Sequence, residues 1–596
     1  MNERAPGESQ AAGAAPLRVW APQAREVAAD LGDRLVPLRA LDGGWWESPG
    51  QVAPGTDYAY RIDGGDPLPD PRSPWQPNGV HSPSRTFDTD AHAWADADWP
   101  GIDVRGAVLY ELHVGTFTAE GTLDAALARL GHLVALGVEV IQLMPVAAFP
   151  GRAGWGYDGV DLYAVHEAYG GPAALQRFVD GAHGLGLGVA LDVVYNHLGP
   201  SGNYLSRFGR YFTDRHETPW GEAVNLDGPG SAQVRAFVID NALRWLRDFH
   251  LDALRLDAVH ALVDDSQVHL LAELATAVGL LADDLGRPLG LIAESDLNDV
   301  AMVTPVADGG LGMTAQWDDD VHHAIHAFLT GERHGYYADF GSYGTLAKAL
   351  TDVFVHDGGF SSFRGQVWGA PVPLDVSGHA FVVSTTTHDQ VGNRGRGDRP
   401  AATLSEGRQA ISAALLLTTG FTPMLFMGEE WGAGTPWLFF TDHAEPELAQ
   451  SIRDGRAREF GAHGWAELYG DGIQPTDPQD PATVAASMLD WDEPGHGHHA
   501  RILAFYRDLI ALRACTPDLR SGDRRSTTVD HDADAQWVRI RRGSVVVVVN
   551  LAPDERHVPL VGTVALGVLL AWDALGPDAV TADGVRLPAA SVAVLG

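Results

Sequence analysis

One cysteine, Cys515, stands in 596 residues, which excludes an internal disulfide. Lying in a helical pattern, its thiol is expected to be an inert core or near-core group. Positive charge is also scarce: 41 Lys and Arg face 78 Asp and Glu, a net charge of -37. That field argues against nucleic acid or an anionic membrane as partner and leaves a neutral substrate unpenalised, although solubility or salt tolerance would account for it equally. No apolar run reaches the roughly 18 residues of a membrane span. The opening MNERAPGESQAAGAAP has no apolar segment of the signal-peptide kind, so the cytoplasm is the expected compartment. Compact metal motifs such as HExxH are missing, soft thiolate ligands are absent, and His197, His260 and His388 lie far apart in the chain. Neither a catalytic metal nor a cofactor is expected.

What is present reads as three domains behind a tail. Residues 1–15, small and polar, are expected to be disordered. Residues 16–100 carry short alternating runs such as LRVWAP and DYAYRID between Gly, Pro and Asp, the pattern of a β-sandwich of carbohydrate-binding type. Their end, Asp66–Ser84, holds too many prolines for a strand and should lie extended over the next domain. Residues 101–515 alternate strand and helix. The strands are AVLYELHV, VEVIQLMP, LGVALDVVY, LDALRLD, LGLIAES, MTAQWD, AFVVSTTT and TPMLFMG, with helical runs such as LDAALARLGHLVAL, PAALQRFVDGAHGL, SAQVRAFVIDNALRWLRDF and Asp265–Leu285 between them. The fold class is therefore α/β, a (β/α)8 TIM barrel. Long excursions after the third strand (Leu198–Leu226) and the eighth (Glu429–Trp491) should shape a cleft. After a helix at Ala500–Ala514, residues 516–596 read as an antiparallel β-domain through WVRIRR, SVVVVVNLAP, VALGVLLAWDA and SVAVLG.

The conspicuous polar residues fall at strand C-terminal ends, where such barrels keep their chemistry. In LDALRLD, residues two apart share a face, so Arg255 and Asp257 arrive side by side. Glu294 ends the next strand, and neighbouring parallel strands put the two carboxylates about 4.8 Å apart. That suits a retaining glycosidase, with carboxyls roughly 5–5.5 Å apart, better than an inverting one. Asp257, kept ionised by Arg255, is the natural nucleophile; Glu294, flanked by Ile292 and Ala293, has the apolar setting that raises a general acid. Either carboxylate alone could be a helix cap. Asp389 and His388 in STTTHDQVGN can hydrogen-bond sugar hydroxyls, or form a loop turn or metal-ligand fragment. LDVVYNHLGP supplies Asp192, Asn196 and His197, the first two partly as an Asx-type turn. WGYDGVDLYA offers Tyr157 as a sugar-stacking platform with Asp158 beside it, while Trp155 reads better as core.

As an ordered set, LDVVYNH, LRLDAVH, IAESD and TTHDQ resemble the alpha-amylase family of glycoside hydrolases over roughly residues 15–596. The resemblance implies Asp257 as nucleophile, Glu294 as acid/base and Asp389 as transition-state stabiliser, with Tyr157, His197, Arg255 and His388 around the cleaved sugar. The family's usual lysine-histidine pair after the nucleophile is replaced by His260 and Ala261, which counts against ordinary starch endo-hydrolysis. DPRSPWQPNGVHSPS, AQWDDDVHHAIHAFLTGERHGYYADFG and FMGEEWG are similar to stretches of those members that act on maltooligosyl trehalose. Such members hydrolyse the α-1,4 bond next to the terminal trehalose, and related α-glucans are the implied ligands. The resemblance locates specificity in loops beyond strands six to eight. Trp317, Asp318, Asp319, His322, Phe363 and Glu429 are the implied trehalose-side residues, with Asp318–Asp320 alternatively a solvated acidic turn. Glycogen branching and isoamylase-type debranching are the same-fold alternatives. A non-catalytic glucan-binding protein would be expected to have lost one of the three carboxylates, all of which are present.

Overall fold

The computed structural model describes residues 13–462, 469, 475–560 and 567–596. The eight runs form a closed parallel barrel in chain order. Its strands are β1 (Leu109–Leu112), β2 (Val140–Leu143), β3 (Gly188–Val193), β4 (Ala253–Leu256), β5 (Gly290–Ala293), β6 (Ala315–Trp317), β7 (Phe381–Ser384) and β8 (Thr422–Phe426). All eight are buried along their length, as parallel strands covered on both faces must be.

Strand alternation sorts the side chains. Leu254 and Leu256 join the large core outside the barrel, whereas Ala253 joins a layer inside it with Leu109, Val140, Ala190, Ile292 and Ala315. Stepping two residues along β4 from Ala253 leads to Arg255 and then Asp257, so the apolar interior gives way to charge toward the strands' C-terminal ends. Parallel pairing aligns Arg255 with Asp192 on β3 and with Ile292 on β5.

Two helices differ from expectation. The helix after β4 runs Leu270–Leu285 and not from Asp265: the His269 ring caps Leu271 N, and the Asp264 carboxylate takes the Leu270 N–H at 2.6 Å. Those caps set the start. LDAALARLGHLVAL is two short helices, Leu123–Leu127 and Leu130–Leu136.

Before the barrel stand two antiparallel sheets, Ala15–Trp20, Trp45–Val52 and Arg39–Ala40 in one, Leu35–Pro37, Val27–Asp30, Asp57–Ile62 and Ser84–Arg85 in the other. Of the expected disordered tail, residues 1–12 lie outside the described residues, and Ala15 already belongs to a strand. The proline-rich segment lies against barrel helices, Arg72 Nη1 pairing with Asp240 at 2.9 Å and Trp75 Nε1 with Glu167 at 2.7 Å. At the other end a five-stranded antiparallel sheet follows the helix Gly497–Cys515. It includes Thr527–Asp532, which the sequence reading passed over, and Arg556–Pro559 and Gly584–Leu587 form a further pair beside it. Of VALGVLLAWDA, residues 564–566 lie outside the described residues and Val568–Ala571 is strand. Cys515 is exposed at its helix end, a correction to the expected core thiol: helical periodicity places a residue on a face but does not say which faces are covered. Among the described residues, no helix is long and apolar enough to cross a membrane.

LDALRLD carries two aspartates with opposite fates. Asp252 is fully buried at the N-terminal end of β4, where its carboxylate takes Trp99 Nε1 at 2.8 Å, Val189 N at 2.9 Å, Arg287 Nη1 at 3.0 Å and His183 Nε2 at 3.1 Å. Asp252→Ala is expected to cost about 3–5 kcal/mol, the range for breaking a buried ion pair. Activity per folded molecule should be unchanged, as checked by denaturant unfolding beside active-site-normalised kinetics.

Candidate active site

A cleft of about 550 Å³ opens at the C-terminal end of the barrel, within the size range of small-ligand sites. Its lining includes Tyr157, Asp158, His197, Asp257, His260, Glu294, His388 and Asp389. Eight of the sequence-derived candidates thus meet in one place, drawn from the ends of β2, β3, β4, β5 and β7.

Arg255 lies beneath them, fully buried, and is shared by three carboxylates. Its Nη1 is 2.7 Å from Asp192 Oδ2 and 3.0 Å from Asp257 Oδ1, and its Nη2 is 2.7 Å from Glu294 Oε2. The guanidinium rests on the Trp317 ring at 4.2 Å, a cation–π contact in a dry setting. Asn196 Nδ2 donates to both Asp257 Oδ2 and the Asp257 carbonyl at 2.7 Å. Burial alone would raise the Asp257 carboxyl, yet the Arg255 charge, the Asn196 hydrogen bond and His197 together hold it below the usual aspartate range. Glu294 goes the other way. Burial pushes it well above the ordinary glutamate range despite Arg255, helped by the charges of Asp257 and Asp389. Two carboxyls on adjacent strands are driven apart, one ionised and one protonated, which is how an acid and a nucleophile are told apart. Ala258, held in the left-handed region at φ 39°, donates its N–H to Glu294 Oε2 at 2.7 Å. Such strain, about 1–3 kcal/mol, persists only where surroundings enforce it.

A second chain of hydrogen bonds fixes the β7 end. His388 Nδ1 is 2.8 Å from Glu111 Oε1 and its Nε2 is 2.8 Å from the Tyr157 hydroxyl, which donates to Asp192 Oδ2 at 2.7 Å. With its proton on Asp192, the Tyr157 oxygen must accept from His388, so both ring nitrogens donate and the ring is an imidazolium. Burial would lower His388, but the Glu111 and Asp389 charges raise it to about 9. Tyr157 and His388 also stack, with centroids 5.1 Å apart. His197 stacks on Trp220 at 4.5 Å. Burial lowers its pKa against the opposing charges of Asp257 and Asp158. His260, exposed at the rim, has Nδ1 3.7 Å from Asp296 Oδ1.

The implied trehalose-side residues do not line this cleft. Trp317 is buried inside the barrel under Arg255. Asp318 caps the helix Asp319–Thr330, and Asp320 takes Asn298 Nδ2 and the Val355 and His356 N–H groups, so the acidic triplet is not a solvated turn. Asp319, the first residue of that helix, is pushed to about 7 by burial and by Asp389, Asp320 and Asp296. His322 is buried against the Tyr337 hydroxyl, Nε2 3.2 Å away. Phe363 is 47% exposed and meets Tyr336 edge-on. Glu429 faces away from the cleft, its carboxylate taking the hydroxyls of Thr385, Thr386 and Tyr506 and the Phe426 N–H. For Asp318, Asp320 and Glu429 the physical reason is shared. A strand end or first helical turn near the barrel mouth has its own capping and packing needs, and these claimed the polar groups.

In their place stand residues that sequence reasoning missed: Trp220 from the excursion after β3, Asn393 after β7, and Phe439, Thr441, Ile452 and Arg456 from the excursion after β8. Only Asn393 carried a signal, four residues beyond Asp389 and hence on one face of a helical turn. Trp155, read as core, is 5% exposed and stacks on Trp437, yet its edge also reaches the cleft. Among the described residues one group with metal-ligand character, His216, Asp227 and Asp265, has its donor atoms within 4.8 Å of one another. It lies outside the cleft lining, with Asp227 already paired to His216 at 2.7 Å and Arg215 at 3.1 Å.

Fold and site together define a glycoside hydrolase of the alpha-amylase class, and the alpha amylase catalytic domain family matches residues 82–220. The chain is 51% identical to the malto-oligosyltrehalose trehalohydrolase of Rhizobium sp. (strain M-11) over 98% of both proteins, and 52% identical to that of Arthrobacter ramosus over 97% of this chain and 98% of the other. A solved structure from Salmonella typhimurium, described as a candidate alpha amylase, superposes with a TM-score of 0.88 at 36% identity over 99% of both chains. The chain belongs to the malto-oligosyltrehalose trehalohydrolase family.

Proposed function

We propose that the chain hydrolyses the α-1,4-glucosidic bond next to the terminal trehalose of maltooligosyl trehalose, releasing trehalose and a malto-oligosaccharide with net retention. The observation that carries this reading is the near-full-length identity to relatives of that name; the geometry around Arg255 supports the chemistry. Glu294, protonated, gives its proton to the glycosidic oxygen while Asp257 attacks the anomeric carbon, and the trehalose moiety departs. Asp389 hydrogen-bonds the sugar as positive charge develops on its ring. Glu294, now ionised, takes a proton from water, which attacks the glucosyl–Asp257 ester and frees the malto-oligosaccharide. The paucity of cysteine supports a cytoplasmic site of action.

Product analysis tests the reading. Maltotriosyl trehalose should yield trehalose and maltotriose, with maltopentaose cleaved at least about tenfold more slowly. An untouched trehalosyl substrate, together with new α-1,6 branches in amylose, would instead establish a branching transferase.

A further inference from the structure

Asp389 is the second residue of the short helix His388–Gly392, and its N–H is taken by the capping Thr387 hydroxyl at 3.2 Å. Its side chain is 41% exposed to the cleft. Among the described residues one hydrogen bond reaches its carboxylate, from Asn393 Nδ2 to Oδ1 at 3.2 Å. An asparagine amide presents a donor on one side and an acceptor on the other, so what lies beyond decides which side faces Asp389.

Beyond Asn393 lies Arg456, on the helix Pro446–Ala462 of the excursion after β8. Its Nη1 donates to Asn393 Oδ1 at 3.2 Å, and its Nη2 donates to the Gly392 carbonyl at 2.6 Å. A guanidinium has donors and no acceptor, so it can meet only the oxygen of the amide. Arg456 therefore turns Asn393 so that its NH₂ faces Asp389. Turned the other way, the amide oxygen would face a carboxylate oxygen and repel it. The same guanidinium lies over the Phe439 ring at 5.3 Å, and the Gly392 carbonyl it takes is at the end of the short helix His388–Gly392. Gly392 itself is pressed against Trp155, where a Cβ would come within 2.1 Å of the indole. The turn carrying Asp389 is thus braced by Trp155 on one side and Arg456 on the other.

We infer that Arg456 and Asn393 are positioning residues that act in series on Asp389, linking the excursion after β8 to the transition-state carboxylate. This inference rests on the role given to Asp389 under the proposed function. Because Asp389 stabilises charge only as the bond breaks, misplacing it should lower kcat more than it alters KM.

Asn393→Ala and Arg456→Ala are each expected to lower kcat on maltotriosyl trehalose about tenfold with KM within about twofold. Because they act in series, the double variant should lose little more than either single one. Asn393→Asp keeps an acceptor for Arg456 but removes the donor to Asp389, and should be at least as impaired as Asn393→Ala. Thermal unfolding of each variant identifies any that fail to fold, and Arg456→Lys, which keeps a donor, should recover part of kcat. Multiplicative losses in the double variant, unchanged kcat, or an active Asn393→Asp enzyme would overturn the series arrangement. A wild-type protein that leaves maltotriosyl trehalose intact would instead overturn the proposed function itself.

Discussion

Asp257→Asn is expected to reduce turnover of maltotriosyl trehalose by at least about 10⁴-fold, the scale of losing a covalent nucleophile. The substitution exchanges one oxygen for an NH₂ of the same size, so packing is preserved. Arg255 retains the Asp192 carboxylate at 2.7 Å as counter-charge and the Glu294 carboxyl at 2.7 Å as neighbour, and Asn196 can still donate to the remaining oxygen. The barrel should fold normally, with an unchanged far-UV circular dichroism spectrum. Loss of the Asp257 charge also removes one of the reasons that Glu294 is protonated. The Glu294 carboxyl of the variant should therefore titrate lower than in the wild-type protein. Turnover retained to within about a hundredfold would remove Asp257 as nucleophile.

Glu294→Gln has an equally large expected effect, but one that depends on the leaving group. On the natural substrate, kcat should fall by about 10³-fold or more, since a sugar alkoxide leaves poorly without a proton. On α-maltosyl fluoride, whose leaving group needs no proton, formation of the glycosyl–enzyme should be within about tenfold of wild type. The pH profile separates the groups involved. For wild type, kcat/KM should fall on the acid side as Asp257, held below the usual aspartate range, becomes protonated. It should fall on the alkaline side as Glu294, held well above the usual glutamate range, loses its proton. In Glu294→Gln with the fluoride, the alkaline fall due to Glu294 should vanish. A remaining fall near pH 9 would report His388, whose imidazolium is held to about 9. Equal losses on both substrates would exclude Glu294 as the proton donor.

The barrel was legible because parallel strands buried on both faces are written as short continuous apolar runs, and all eight were read. The charged residues at their ends were legible for a related reason: period-two alternation puts Arg255 and Asp257 on one inward face without any knowledge of the rest. Asp252, three residues before Arg255, shows where that rule stops. Its carboxylate is a structural hub at the opposite end of the barrel, and only burial and partners distinguish it from Asp257.

Residues that act through a neighbour were harder. Asn196 read partly as a turn former, yet its amide is spent on Asp257 across a strand boundary. Glu111 gave no sign that it would reach His388, 277 positions away. Glu429 and His322 were placed near the substrate by resemblance, whereas each is committed to its own packing environment.

Local pattern in the chain therefore determined the strands and the inward row of β4, because each depends on residues a few positions apart. The walls of the cleft were decided by tertiary structure alone. Trp220, Phe439, Thr441, Ile452 and Arg456 come from the excursions after β3 and β8, Ile452 and Arg456 on the helix Pro446–Ala462, and their side chains enter the site only where barrel closure brings the ends of β3 and β8 around the same opening. The opposite shifts of the Asp257 and Glu294 carboxyls were likewise set in three dimensions, by how one buried guanidinium, one amide and the surrounding low dielectric divide between them.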